Sequence, residues 1–202
     1  MKQKTVLMDF SDNTDEVLWM SFKEGSKNAL SEIFDQHYQN LHSYASRMIS
    51  NPDEAKDVIQ DLFLKLWKNK NQLGKCDNIR FYLLQSLRRL IIDQYLKKYK
   101  PIKTEINEEN LPSELPFESV LIINQEQDKK IEELKKAFSQ LSRRQQEAIY
   151  LKFYQQIDYP AIATIMNVTV QSVRNLVHSG IQSLKHHFGT GMIFFIALLK
   201  KV

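Results

Sequence analysis

Between Ala29 and Ile49 apolar residues return every three or four positions: Ala29, Leu30, Ile33, Phe34, Tyr38, Leu41, Tyr44, Ala45, Met48 and Ile49. Only an α-helix with one buried stripe gathers such a set on a single face. Asn51 and Pro52 end that helix and open the next, with an N-cap side chain, a proline at the first helical position and Glu54 as a reciprocal acid. The second helix runs to about Asn69, turning Val58, Ile59, Leu62, Phe63, Leu66 and Trp67 inward and leaving Asp53, Asp57, Gln60, Asp61 and Lys65 outside. A polar loop, Asn69 to Asp77, precedes Asn78, which reads as the cap of a third long helix reaching Lys98. The whole chain of 202 residues holds only 5 Gly and 5 Pro, too few turn-formers for an all-β fold. The expected class is all-α.

Charge divides the chain into blocks. Residues 1–64 carry a net −5, 65–100 a net +8, 101–128 a net −6 and 129–202 a net +7. The stretch 101–128 contains Pro101, Pro112 and Pro116, has no sustained helical period, and reads as an acidic linker. The expected organisation is an N-terminal helical domain over 1–100, the linker over 101–128, a C-terminal helical domain over 129–188 and an apolar tail over 189–202. The tail's run Met192 to Leu199 is eight residues, against about 20 for a membrane span. Cys76 is the single cysteine, and Asp9 interrupts the first ten residues before a signal-peptide apolar region develops. A cytoplasmic location follows as the expectation.

Two basic blocks point to a polyanion. The third helix carries Leu83, Leu87, Leu90 and Ile91 for a core while displaying Arg80, Gln85, Arg88 and Arg89, with Phe81 and Tyr82 near its start. Basic groups that track phosphates beside aromatic faces that stack bases suit single-stranded nucleic acid, although Phe81 and Tyr82 serve equally well as core. In the C-terminal block, Ser142 and Gln145 form a capping box, and Asp158 with Pro160 starts a further helix. Ile162, Ala163 and Met166 line its inner face; Asn167 suits a left-handed turn; Thr169 caps the helix that follows. Two short helices across a tight turn make a helix-turn-helix. The second helix presents Thr169, Gln171, Ser172, Arg174, Asn175 and His178, groups that read base edges or hold phosphates.

The order of these parts resembles the extracytoplasmic-function sigma factors, compact promoter-specificity subunits of bacterial RNA polymerase. The segment DEAKDVIQDLFLKLWKN, residues 53–69, is similar to the family's polymerase-binding helix. NIRFYLLQSLRRLIIDQYLKK, residues 78–98, is similar to the helix that recognises the minus-ten element, and residues 141–185 resemble the domain that grips the minus-thirty-five element. The resemblance implies that Asp57, Gln60 and Asp61 contact core RNA polymerase. It implies that Asn78, Arg80, Tyr82, Gln85, Arg88 and Arg89 meet minus-ten DNA beside the loop Leu73 to Asn78, and that the set Thr169 to His178 meets minus-thirty-five DNA. Core polymerase and promoter DNA are then the partners, with an anti-sigma factor as a further one. The acidic linker is expected to compete with DNA in the free chain.

Other classes lack their signatures. Asp57 and Asp61 stand one turn apart with no phosphate loop or nucleophile motif beside them, so no catalytic residue and no small-molecule substrate are expected. His186 and His187 are adjacent and have no Cys or His at ligand spacing, so neither metal nor cofactor is expected. The rival reading is a conventional helix-turn-helix regulator with an N-terminal sensor or dimerisation domain, which has no need of the basic helix 78–98.

Overall fold

The computed structural model describes residues 11–49, 51–98 and 136–188. The linker and tail expected over 101–128 and 189–202 lie outside the described residues. Among those described there is no strand, in agreement with the all-α expectation. The helices are α1 (Ser11–Lys23), α2 (Lys27–Met48), α3 (Pro52–Asn69), α4 (Ile79–Lys98), α5 (Arg143–Ile149), α6 (Tyr159–Met166) and α7 (Val170–Phe188). A 3₁₀ turn, Lys70–Gln72, follows α3, and a wide π-turn, Tyr150–Tyr154, follows α5.

Local signals place most boundaries. Ser26 caps α2 by accepting from the Ala29 N–H, after Gly25 makes the α1–α2 turn at φ 95°, where a side chain would be strained. Asn51 caps α3 through the Asp53 N–H at 2.9 Å, with Pro52 in the tolerated first turn. Ser142 and Gln145 close the capping box reciprocally. Asp158 caps α6 through the Ala161 N–H, and Asn167 ends it at φ 54°, ψ 50°.

In the N-terminal half α2, α3 and α4 pack together, and α1 lies across α2 and the 3₁₀ turn. The helix α1 has no counterpart in the sequence reading, yet its Trp19 and Phe22 are among the largest fully buried side chains. In the C-terminal half α7 packs on both α5 and α6. Gly180 permits the α5–α7 approach: a Cβ there would lie 2.7 Å from Ile149 Cδ1.

The two helical halves share one core. Tyr44, Leu83 and Leu87 belong to the same buried cluster as Tyr150, Leu151, Ile162 and Met166. The cause is α4, which buries Leu83, Leu84, Leu87, Arg88, Leu90 and Ile91 around its circumference. A helix apolar on all sides must be covered on all sides. One side of α4 meets α2 and α3; the other meets α6.

Candidate polymerase and nucleic-acid interfaces

Asp57 and Gln60 stand exposed on the outer face of α3, and Leu64, 67% exposed, continues that face one turn on. Asp61 is half-buried and accepts from Gln94 Nε2 of α4 at 3.0 Å. The acidic face therefore divides into two solvent-facing groups and one that also ties α3 to α4.

The loop 73–78 is braced by α1. The Trp19 indole donates to the Gly74 carbonyl at 3.0 Å, and Asp15 Oδ2 accepts from the Ile79 N–H at 3.0 Å. Asn78 caps α4, its Oδ1 accepting from the Phe81 N–H. Tyr82 meets Trp19 edge-on, ring centroids 5.0 Å apart, and is half-buried like Phe81, so both lend part of their faces to the core. Cys76 is buried in the loop, and burial pushes its thiol up to about 11. The thiolate that reacts or ligates is absent at neutral pH.

The expectation that α4 displays all of its basic residues is corrected. Arg89 is exposed, but Arg88 is 6% exposed and its guanidinium engages Glu147 of α5 through Nε at 2.8 Å and Nη2 at 3.4 Å. Glu147 also accepts from the Tyr44 hydroxyl at 2.5 Å; burial first, and then the carboxylate beside it, hold that phenol well above its ordinary pKa. Arg80 Nη2 donates to the Gln155 carbonyl at 2.8 Å and to the Gln155 side-chain oxygen. Gln85 donates to the Thr164 carbonyl at 3.1 Å. Sequence reasoning did not reach Glu147, Gln155 or Thr164, because their partners lie 59 to 79 residues away along the chain. A solvent-sided cleft of about 580 Å³ remains between α4 and the α6–α7 turn, with Gln85, Arg88, Arg89 and Asn167 on its walls.

The helix-turn-helix forms as expected. Ile162, Ala163, Met166 and Val173 are buried across the left-handed Asn167 turn. Thr169 spends its hydroxyl on capping: Oγ1 accepts from the Ser172 N–H at 3.1 Å and lies 2.8 Å from the Ser172 hydroxyl. Gln171 donates to Asn175 at 3.0 Å, which orients two exposed amides side by side on α7. Arg174 and His178 are exposed beyond them. The Arg174 guanidinium lies 5.8 Å from the Tyr159 ring, with Lys152 on that ring at 4.6 Å. Lys152 and Tyr159 thus lie beside Arg174 of α7, an association that no motif announces.

The Sigma-70 region 2 model matches residues 33–100 and the Sigma-70 region 4 model matches residues 131–184. The chain is an extracytoplasmic-function sigma factor. Among curated relatives, the ECF RNA polymerase sigma factor SigW of Bacillus subtilis (strain 168) is 24% identical over 173 residues, covering 81% of this chain and 90% of that one. SigK of Mycobacterium sp. (strain KMS) is 20% identical over 178 residues, covering 86% and 90%. The fold is shared with CnrH in complex with the cytosolic domain of CnrY, at TM-score 0.59 and 16% identity, covering 85% of this chain and 95% of that one. It is shared also with RpoE of Bartonella quintana in complex with the anti-sigma factor NepR, at TM-score 0.56 and 22% identity, covering 80% and 94%. A sensor-domain regulator is displaced by the region 2 match, which covers the basic helix itself. As a sigma factor the protein directs core RNA polymerase to promoters in transcription initiation. No helix among the described residues is long and apolar enough to cross a membrane, and none of their His, Cys, Asp and Glu side chains cluster as a metal site.

Proposed function

We propose that three surfaces of this sigma factor divide the work of initiation. The outer face of α3, with Asp57 and Gln60 at its centre and Asp61 at its margin, docks on core polymerase. The N-terminal turns of α7 enter the major groove of the minus-thirty-five element, where Gln171, Asn175 and Arg174 meet base edges or phosphates while Thr169 and Ser172 hold the helix start. The loop 73–78 and α4, through Asn78, Arg80, Tyr82, Gln85, Arg88 and Arg89, receive the minus-ten strand. The observation that carries this reading is the outward polar set on α7: Gln171 is already bonded to Asn175, and Arg174 is exposed on the same helix. Side chains ordered before binding lose less entropy on binding. The protein acts in the cytoplasm with polymerase, as a binding subunit and not as a catalyst. An anti-sigma factor is a further partner, of the kind named for the Bartonella relative.

Transcription from a promoter library with bacterial core polymerase tests the assignment. The Asp57→Ala, Asp61→Ala double variant should lose protein-dependent initiation while staying folded, and full retention refutes the α3 surface. Arg174→Ala should weaken minus-thirty-five binding by about 1–3 kcal/mol at one base position if it reaches a guanine edge, and uniformly across sequences if it holds phosphate. No loss in either pattern removes Arg174 from the interface.

A further inference from the structure

Between the π-turn and α6 the chain reverses sharply. Gln156 stands at φ 54°, and the Ile157 N–H donates back to the Leu151 carbonyl at 3.0 Å. A left-handed backbone is costly for a residue with a Cβ, so this turn persists because its surroundings fix it. Ile157 is buried, and Asp158 and Pro160 set the first turn of α6 immediately after it. The reversal lays Tyr159, the first residue of α6, beside Lys152 of the π-turn. The Lys152 ammonium lies 4.6 Å from the Tyr159 ring centroid and donates to the Ile157 carbonyl at 3.3 Å. From α7, the Arg174 guanidinium lies 5.8 Å from the same centroid.

We propose that Tyr159 is a positioning residue for duplex DNA, its ring holding Lys152 and Arg174 together as a pair of phosphate-binding cations beside the α7 interface. The proposal rests on the assignment of α7 to the major groove. Two like charges repel, and neither Lys152 nor Arg174 has a carboxylate partner among the described residues. Asp158, the nearest carboxylate along the chain, turns its Oδ1 to the Ala161 N–H instead. The negative face of one phenol ring attracts both cations but offsets only part of two full charges, and an incoming anion meets the surplus. Both charges lie within 5.8 Å of one centroid. A duplex carries one charge per ~1.7 Å of its axis, so cations this close meet phosphates that are near neighbours.

Lysine is a compact charge on a flexible stem and loses much rotamer freedom when it is held. Here the Ile157 carbonyl takes one of its three donors and the ring fixes its direction, which leaves donors for a phosphate oxygen. Lys152 and Tyr159 are half-buried in the folded chain, so this ordering precedes binding and need not be imposed by it. The ring itself is anchored, because Ile162, Ala163 and Met166 of α6 are buried in the core that α6 shares with α7. A phenylalanine ring presents the same face, so the hydroxyl is dispensable in this role.

Fluorescence anisotropy of the full chain with a random-sequence pool of duplexes of about 30 base pairs, from about 50 to about 200 mM KCl, gives the affinity and its salt slope. Lys152→Ala should weaken binding about threefold to tenfold and flatten the slope by about 0.9, the share of one phosphate. Tyr159→Leu should weaken binding to a similar extent and flatten the slope in the same sense, while Tyr159→Phe should match the wild type within about twofold. In a Lys152→Ala, Arg174→Ala background, Tyr159→Leu should change nothing further, because it acts only through the two cations. A fold that is merely loosened loses affinity without losing a phosphate contact, so a Tyr159→Leu loss at unchanged slope overturns the positioning role. A loss in Tyr159→Phe as large as in Tyr159→Leu also overturns it and assigns the hydroxyl to DNA. A further loss in the doubly substituted background does the same for action through the cations. If Lys152→Ala and Arg174→Ala flatten the slope and Tyr159→Leu does not, the ring is idle and the proposal fails alone. If Lys152→Ala and Arg174→Ala both leave affinity and slope unmoved, the assignment of α7 to DNA fails and takes the proposal with it.

Discussion

Trp19 should matter more to the loop 73–78 than any residue within it. Its side chain is 1% exposed, packs on Phe22 at 5.2 Å and on Tyr82 at 5.0 Å, and donates its indole N–H to the Gly74 carbonyl. Trp19→Ala removes the ring and leaves a cavity, at about 3–5 kcal/mol, together with aromatic pairing of about 0.5–1.5 kcal/mol. Trp19→Phe keeps most of the apolar contact and loses chiefly the hydrogen bond. Gly74 is exposed, so water replaces the lost donor and the cost falls near the low end of about 0.5–1.5 kcal/mol. With a urea slope of about 2 kcal/mol/M, the midpoint should drop by roughly 2 M for Trp19→Ala and by about half a molar or less for Trp19→Phe. Circular dichroism gives the midpoints, and amide exchange at residues 73–79 gives the local effect. Trp19→Phe should speed exchange in the loop far more than in α2. Equal midpoints for the two variants, or loop exchange unchanged in both, would refute the claim that α1 braces the loop.

Three further outcomes follow from particular residues. Asn167 stands at φ 54°, so Asn167→Ala should destabilise the C-terminal half by about 1 kcal/mol and Asn167→Gly should cost nearly nothing in thermal unfolding; the reverse order would exclude backbone strain as the cause. Cys76, with its thiol near 11, should resist alkylation at pH 7 in the folded chain and react at the rate of free cysteine in urea; fast labelling of the native protein would contradict its burial. His37 is held below its ordinary pKa by burial, opposed by Asp15 and aided by Arg80, so its neutral form belongs to the folded chain. Its contribution is complete above about pH 6.5 and is lost as the pH falls below that value, so unfolding free energy should decline less on acidification in His37→Gln than in the wild type; parallel pH curves would dismiss the effect.

Helix ends were readable because capping is local. Asn51, Ser142 with Gln145, Asp158, Asn167 and Thr169 each act within a few residues of where they stand, and each occupies the position its chemistry suggests. The helix-turn-helix was readable for the same reason. The helix α1 was not: SDNTDEVLWMSFK holds few apolar residues, and Trp19 and Asp15 find their partners 55 and 64 residues on. Arg88 was misread as displayed because a basic residue on an otherwise apolar helix looks like one reaching for solvent. Its burial is settled by Glu147, whose own context, RRQQEAI, looks like an ordinary exposed turn. On the candidate surfaces, residue type was legible and availability was not.

The π-turn at Tyr150–Tyr154 gives this chain a sensitivity to length. Its closing bond runs from the Gln155 N–H to the Tyr150 carbonyl at 3.0 Å, one residue more than an α-helical turn encloses. Deleting a single residue there would let α5 continue in α-helical phase and would rotate everything after it by about 100°. Gln155 would then face away from Arg80, while Glu147, upstream of the deletion, would keep its place. A one-residue indel is thus a route by which related chains could change how their two halves meet without altering any side chain at the interface.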